Sequence, residues 1–350
     1  MSNKAVRLFN GKISFLFDRR TFKVFSTAAL IVAIIFIISV GIGDMKISPL
    51  SVVKVFFGGG TEMERLVVIS FRLPRIIVAL MAGISLAVAG AILQGMIRNP
   101  LASPDILGIT GGAAVAVVGF LAFFSDENNA LTVSIKWLPF AAFLGAGTVA
   151  ILVYVFAWKN GVSPFRLVLI GIGVSALMQA LTTLMMILGP IYRASQANIW
   201  ITGTVNGSTW DNVVILVPLA VTLVLIALFM TRNMNIQELG DAIATGVGSN
   251  VQRQRLIFML LSTALIGVSV AFVGGIGFVG LMAPHIARRL VGSSFGALLP
   301  ISALIGGVLV MLADLAGRTL FSPLEVPAGV FTSAIGAPYF IYLLFKTRNA

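Results

Sequence analysis

The sequence predicts an all-α polytopic membrane protein of about ten transmembrane helices in one domain, and three observations carry that expectation. Nine separate stretches of about twenty uncharged residues run through the chain, each long enough to cross a hydrocarbon core of roughly 30 Å as a helix. Hydrophobic residues make up 58% of the 350 positions and charged residues only 10%, against roughly 25% charged in soluble domains, so no second, soluble domain has room. The basic residues are also sorted by loop. With ten spans and a cytoplasmic N-terminus, 16 of the 24 Lys and Arg fall inside and 8 outside, whereas nine spans would give 13 and 11; positively charged loops stay cytoplasmic, so ten fits better.

A basic arm, 1–23, with Lys4, Arg7, Lys12, Arg19, Arg20 and Lys23, precedes a membrane domain over 24–346. The first apolar run, Val24 to Gly43, exceeds a signal-peptide core and should remain as the first helix. An outside segment from Asp44 to Arg75, with Gly58, Gly59 and Gly60, leads to the second span, Ile76 to Ile97. Spans follow at Ile106 to Ser125, Trp137 to Trp158, Leu167 to Ile191 and Val213 to Thr231, with polar outside stretches at Asp126 to Lys136 and Pro190 to Asp211. Leu256 to Ala287 is too long for one span and too short for two, and reads as a span followed by a broken one around Gly274, Gly275 and Gly277. Leu290 to Ala313 and Val326 to Phe345 complete the set, which places both termini in the cytoplasm. Arg98 to Asp105, Lys159 to Arg166 and Arg288 to Gly296 are expected as tight inside turns; 232–255 is the one inside connection big enough for short helices. Backbone polar groups must be satisfied within the bilayer, so runs of this length are helical.

Several function classes drop out. The net charge of +12 is spread over inside loops and reads as topology and contact with anionic headgroups, not nucleic acid. No cysteine exists, so disulfides and thiolate metal sites are excluded. His285 is the lone histidine and lacks companions for a metal site, so no metal and no cofactor is expected. Gly275, Gly277 and Gly280 match G-x-G-x-x-G but follow no strand, and there is no Walker A sequence to hold ATP. The chain is thus not expected to be an enzyme. Asp314, near the outer end of the ninth span, is the one acid expected within a span, with Arg318 at the i,i+4 spacing of a structural ion pair.

Three runs stand out. R-L-P-R at 72–75 sets Arg72 and Arg75 at the outer mouth of the second span against the positive-inside bias, with Pro74 at a helix start. R-N-P-L-A-S-P-D-I-L-G at 98–108 is a turn held by Pro100 and Pro104. L-G-D-A-I-A-T-G-V-G at 239–248 lies in the large inside loop as a docking helix.

R-L-P-R at 72–75, the Gly83, Gly90 and Gln94 spacing, R-N-P-L-A at 98–102, L-G at 107–108, G-F-V-G-L-M-A-P-H-I-A-R at 277–288, A-D at 313–314 and G-A-P at 336–338 closely resemble the permeases of type II, binding-protein-dependent ABC importers for iron-siderophores and vitamin B12. The resemblance spans about residues 25–346. It implies the ten-helix permease fold of that class, paired with a second copy or a paralogue, two cytoplasmic ATPase subunits below and an external substrate-binding protein above, in the inner membrane of a bacterium. By the same resemblance Arg72, Arg75 and Arg318 receive acidic residues of the binding protein, and Gly240, Asp241, Ala244 and Gly248 couple to the ATPases. Asn99, Pro100 and Leu101 form the inner gate by the same match. Asp241 stands where the pattern usually has glutamate, keeping the charge and shortening the reach. The cargo implied is a metal chelate, foremost a ferric siderophore, with vitamin B12 or haem as alternatives on the same fold. From a different class, an ion-coupled secondary transporter would draw on Asp314, Gln94 and the glycine break near 274–277.

Overall fold

The computed structural model describes residues 4–8, 13–43, 45–126 and 131–347. Two short strands, β1 (Lys4–Leu8) and β2 (Ile13–Phe17), pair antiparallel ahead of the first helix. Asp18 then caps α1 (Arg19–Gly41), accepting from the backbone N–H of Arg20 and Thr21 at 3.0 and 3.2 Å and from the Thr21 hydroxyl at 2.8 Å. These bonds hold its carboxyl below the usual carboxylate range, the Thr21 hydroxyl contributing most.

The segment expected outside between the first two spans carries α2 (Pro49–Phe56) and α3 (Glu62–Arg65). The chain then stays helical through a π-helical stretch, Leu66–Arg72, into α4 (Leu73–Ile97). R-L-P-R therefore lies inside a continuous helical path and not at its start. The π turn explains how Pro74 is tolerated there. Leu73 N–H bonds to the Val68 carbonyl, five residues back, and the next such bond, from position 74 to Ile69, lacks a donor. The Ile69 carbonyl instead accepts the Trp210 indole N–H at 2.9 Å.

Beyond α4 come α5 (Ile109–Phe123), α6 (Leu138–Ala157), α7 (Pro164–Leu188), α8 (Ile191–Thr202) and α9 (Trp210–Phe229). The large connection expected inside holds α10 (Thr231–Glu238) and α11 (Asp241–Gly246). The chain ends with α12 (Val251–Val273), α13 (Val279–Val291), α14 (Phe295–Thr319) and α15 (Ala328–Thr347). Among the described residues eight helices are long and apolar enough to cross a membrane. The two other expected spans are the short helices α5, 15 residues, and α13, 13 residues, about 22 and 20 Å long at 1.5 Å per residue. The count of ten is therefore approximate. The expected break falls where predicted, between Val273 and Val279.

The core sits on α4, α12 and α14. In the second span's most apolar window 83% of residues are buried, against 17% in α1, so α4 is wrapped by protein while α1 offers its apolar side chains to lipid. Missing side chains let these central helices touch backbone to backbone. A Cβ on Gly83 would stand 2.2 Å from the Gly306 carbonyl of α14, and one on Gly90 would stand 1.8 Å from the Gly280 carbonyl of α13. Proline inside α13 is handled as Pro74 is. Pro284 leaves the Gly280 carbonyl without its helical donor, and buried Gln94 turns its amide toward the carbonyls of Gly280 and Leu281 at 3.5 and 3.3 Å.

Candidate functional site

At the start of α4 and the end of α14, the end expected outside, five charged side chains meet. Arg72 is 8% exposed and donates to the carbonyls of Val40 and Gly41 at 2.8 and 3.0 Å, and to that of Met45. Arg318, 7% exposed, donates to Ile42 at 2.8 Å and to the Ser39 carbonyl. The two guanidiniums thus cap the carbonyl end of α1, where helical donors run out and negative charge gathers. Gly43 lies against Arg72, where a Cβ would meet its guanidinium at 2.5 Å.

Arg75 behaves differently. Its Nε donates to Asp314 Oδ1 at 2.9 Å, and its two terminal nitrogens reach the two oxygens of Glu325 at 3.1 Å each. Asp314 is 3% exposed and lies 3.6 Å from Arg318 in the i,i+4 geometry, so the pair read from spacing is present but is the longer of two. The nearer partner, Arg75, is 239 residues away in the chain. Neither it nor Glu325 could be matched to Asp314 by local spacing.

At the opposite end, α4 stops at Arg98 in a left-handed conformation, φ 56°. Its guanidinium bonds Asp241 at 2.9 Å, and Arg255, 2% exposed, reaches both oxygens of the same carboxylate at 2.9 and 3.1 Å. One acid therefore ties α11 to the end of α4 and the start of α12. Gly240 and Gly248 have φ of 108° and 82°, which side chains rarely adopt, and Ala244 is fully buried beneath α11. Leu239, Ile243 and Val247, four residues apart, are 63%, 53% and 65% exposed. Glu238 holds Arg288 at 2.7 Å, fastening α10 to α13.

The turn at 98–108 overturns an expectation. Asn99 Oδ1 accepts the Leu101 N–H at 2.9 Å, bending the chain through Pro100, but the residues beyond Pro100 do not form a surface loop. A Cβ on Gly171 would lie 2.9 Å from the Ile106 carbonyl, Pro104 packs against Gly280, and the Asp105 carbonyl accepts from Ser175 at 3.2 Å. Ser175 sits one residue from the middle of α7. The segment climbs back along α7 into the membrane, which is why α5 is so short. It also carries Asp105 to membrane depth, so Asp314 is not the one acid there. The P-D dipeptide at 104–105 is visible in sequence; its depth is not.

Among the described residues no three His, Cys, Asp or Glu side chains group as a metal site. A polytopic helical core with interrupted helices meeting midway along it, a charged rim at one end and a short exposed helix at the other defines the class: a transport permease. The chain belongs to the FecCD transport family, whose profile matches residues 31–346. It is 62% identical over 333 residues to the "Probable siderophore transport system permease protein YfhA" of Bacillus subtilis strain 168, covering 95% of this chain and 97% of that one. It is 47% identical to the achromobactin transport system permease protein CbrC of Dickeya dadantii strain 3937, over 93% and 91% of the two chains. Among solved structures it is similar to a metal-chelate type ABC transporter in an inward-facing conformation, with a TM-score of 0.82, 31% identity, and 93% and 99% coverage.

Proposed function

We propose that this chain is the membrane-spanning permease of an ABC importer that takes up an iron(III)-siderophore, and that it works in the inner membrane of a bacterium with both termini in the cytoplasm. It supplies the passage, while ATP is hydrolysed by two separate ATPase subunits and the chelate is delivered by an external binding protein. A second permease, a copy or a paralogue, completes the pathway. The observation that carries this reading is the inner platform: Ile243 of α11 and the flanking Leu239 and Val247 are exposed, while Asp241 clamps α11 from behind to Arg98 and Arg255. Exposed apolar residues on and beside a short helix anchored to the pathway helices suit a soluble subunit whose movement must be transmitted. Gly240, Asp241, Ala244 and Gly248 are thus assigned to coupling, and Asn99, Pro100 and Leu101, immediately after Arg98, to the inner gate. The relatives' siderophore systems support the cargo.

On the outer rim the docking role expected of three arginines divides. Arg75 shares its guanidinium with Glu325, which is 38% exposed, so an incoming carboxylate can take Glu325's place. Arg72 and Arg318 hold the end of α1 and set the rim's positive field. The test is uptake of labelled ferric siderophore into proteoliposomes containing the whole assembly, with internal ATP supplied and ionophores collapsing all gradients. Uptake is expected to survive ionophores and vanish without ATP; the reverse pattern would overturn the reading in favour of an ion-coupled carrier.

A further inference from the structure

α12 opens with V-Q-R-Q-R at 251–255, and Gln252 and Arg255, three residues apart, share one helix face. Both reach back to Val162, in the turn 158–163 that joins α6 to α7. Gln252 Oε1 accepts the Val162 N–H at 2.8 Å, and its amide nitrogen donates at 3.5 Å to the Val162 carbonyl, which also accepts from Arg255. Val162 is 1% exposed, so side chains of α12 satisfy both of its buried backbone groups.

The turn is stiff in itself. Arg166 closes it from the α7 side, donating to the Lys159 carbonyl at 3.0 Å, the Gly161 carbonyl at 2.7 Å and Ser163 Oγ at 3.1 Å. Gly161 has φ 108°, a conformation that favours glycine, and lies so near α12 that a Cβ there would stand 2.7 Å from the Gln252 amide nitrogen. Arg255 meanwhile bonds both oxygens of Asp241 at 2.9 and 3.1 Å. One planar guanidinium therefore joins α11 to the start of α7.

α7 carries that connection onward. A Cβ on Gly171, about two turns after Pro164, would lie 2.9 Å from the Ile106 carbonyl, and Ser175 donates to the Asp105 carbonyl at 3.2 Å. The other partner of Asp241 is Arg98, the residue before Asn99. Asp241 is thus connected to both ends of segment 99–106, through Arg98 at its start and through Arg255, Val162 and α7 at its far end. The two arms differ in stiffness. The Arg98 pair is 34% and 47% exposed and is weakened by solvent, whereas Arg255 is 2% exposed, where water does not compete for its partners.

We propose that Gln252 and Arg255 are positioning residues that make α11, the 158–163 turn and α7 move as one body, so that a displacement of α11 reaches segment 99–106 from both ends. This deepens the coupling role assigned to α11 and rests on it. A contact at one end would pivot the segment about its free end; contacts at both ends move it as a whole.

Motion and output are measured together, because adjacency alone is not coupling. In proteoliposomes holding the whole assembly, iron-labelled siderophore delivered by the assembly's own binding protein is counted per ATP hydrolysed. Gln252→Met, which nearly keeps the volume and removes both bonds to Val162, should lower that ratio about fivefold or more, the scale of a buried hydrogen bond lost, while hydrolysis continues. Arg255→Lys should lower it too, because an ammonium is a point charge and lacks the planar fork that spans Asp241 and Val162. An unchanged ratio in either variant overturns the proposal, including the case where uptake and hydrolysis fall in equal proportion, which is what a merely structural contact gives. Should those variants fail to assemble, spin labels decide. The chain has no cysteine, so Lys159→Cys and Ala242→Cys, both at exposed positions, supply its only thiols. Their distance within one subunit should be the same in the ATP-free and ATP-bound assembly, and a distance that changes overturns the one-body motion. ATP-driven uptake by the unmodified assembly, measured alongside, separates the two claims. Its absence sinks the importer reading, whereas uptake with an unchanged ratio in the variants sinks the relay alone.

Discussion

Replacing Asp241 with Asn removes the charge that clamps α11 while nearly preserving shape, and the structure sets how much this should matter. The Arg98 pair has both side chains about a third or more exposed, 34% and 47%, so solvent screening holds it to about 0–1 kcal/mol. Arg255 is 2% exposed and also donates to the Val162 carbonyl, so losing the carboxylate leaves a buried cation partly satisfied, at a cost of about 1–3 kcal/mol. Together the docked position of α11 should lose about 1–4 kcal/mol, a shift of roughly fivefold to several hundredfold in its population. ATP-driven uptake by the reconstituted assembly should fall on the order of tenfold, with insertion and yield of the permease little changed. Asp241→Glu, which restores reach, should retain most uptake. A double-mutant cycle on thermal stability should give a larger coupling for Asp241 with Arg255 than with Arg98. Full uptake in Asp241→Asn, or equal couplings in the two cycles, would refute the clamp.

The other expectations come from single contacts. Gly90→Ala drives a Cβ into the Gly280 carbonyl and should cost at least about 1–3 kcal/mol through helix separation, read as loss of folded permease in detergent. Gly147→Ala, with nothing within 4 Å of the new methyl, should raise the melting temperature slightly. Trp210→Phe strips the donor from the Ile69 carbonyl beside Pro74 and should destabilise by about 1–3 kcal/mol, with Pro74→Ala on the same background restoring much of it; failure to restore would argue against the carbonyl account. Asp314→Asn leaves Arg75 and Arg318 facing each other without the buried acid between them and should lower stability by about 3–5 kcal/mol, measured by thermal unfolding, without making uptake depend on an ion gradient.

Much of this fold is legible because membrane helices write themselves in composition. Lipid removes the option of exposed backbone, so an uncharged run of twenty residues has one conformation open to it, and the charge sorting of loops favours an even number of spans. The 232–255 connection is legible by length, and its two short helices are there. What local pattern does not show is long-range pairing. Arg72 reads in sequence as an outward charge, yet it caps α1, since a guanidinium's partners at Val40 and Gly41 are some thirty residues away and are carbonyls, which carry no sequence signature. Glu325 and Arg255 go unmarked in sequence for the same reason: each matters through a partner on another helix.

The Asp105 case shows where reading by charge misleads in a membrane protein. Hydropathy assigns depth by counting apolar residues along a helix, so a polar, proline-bounded segment counts as a loop and is placed in water. Proline and glycine also mark where backbone leaves the helix while remaining within the bilayer, and Pro100, Pro104 and Gly108 do so here. The chain meets the same physical constraint at Pro74 and Pro284, where Trp210 and Gln94 supply the missing donors to freed carbonyls. At the climbing turn there is no helix to repair. Its polar backbone must find partners on α7 or in water, and the Ser175 hydroxyl donating to the Asp105 carbonyl is such a contact. The two short helices and the deep acid thus have one cause: non-helical chain brought to membrane depth from both sides of the sequence, a costly arrangement in lipid that becomes favourable where a polar cargo must pass.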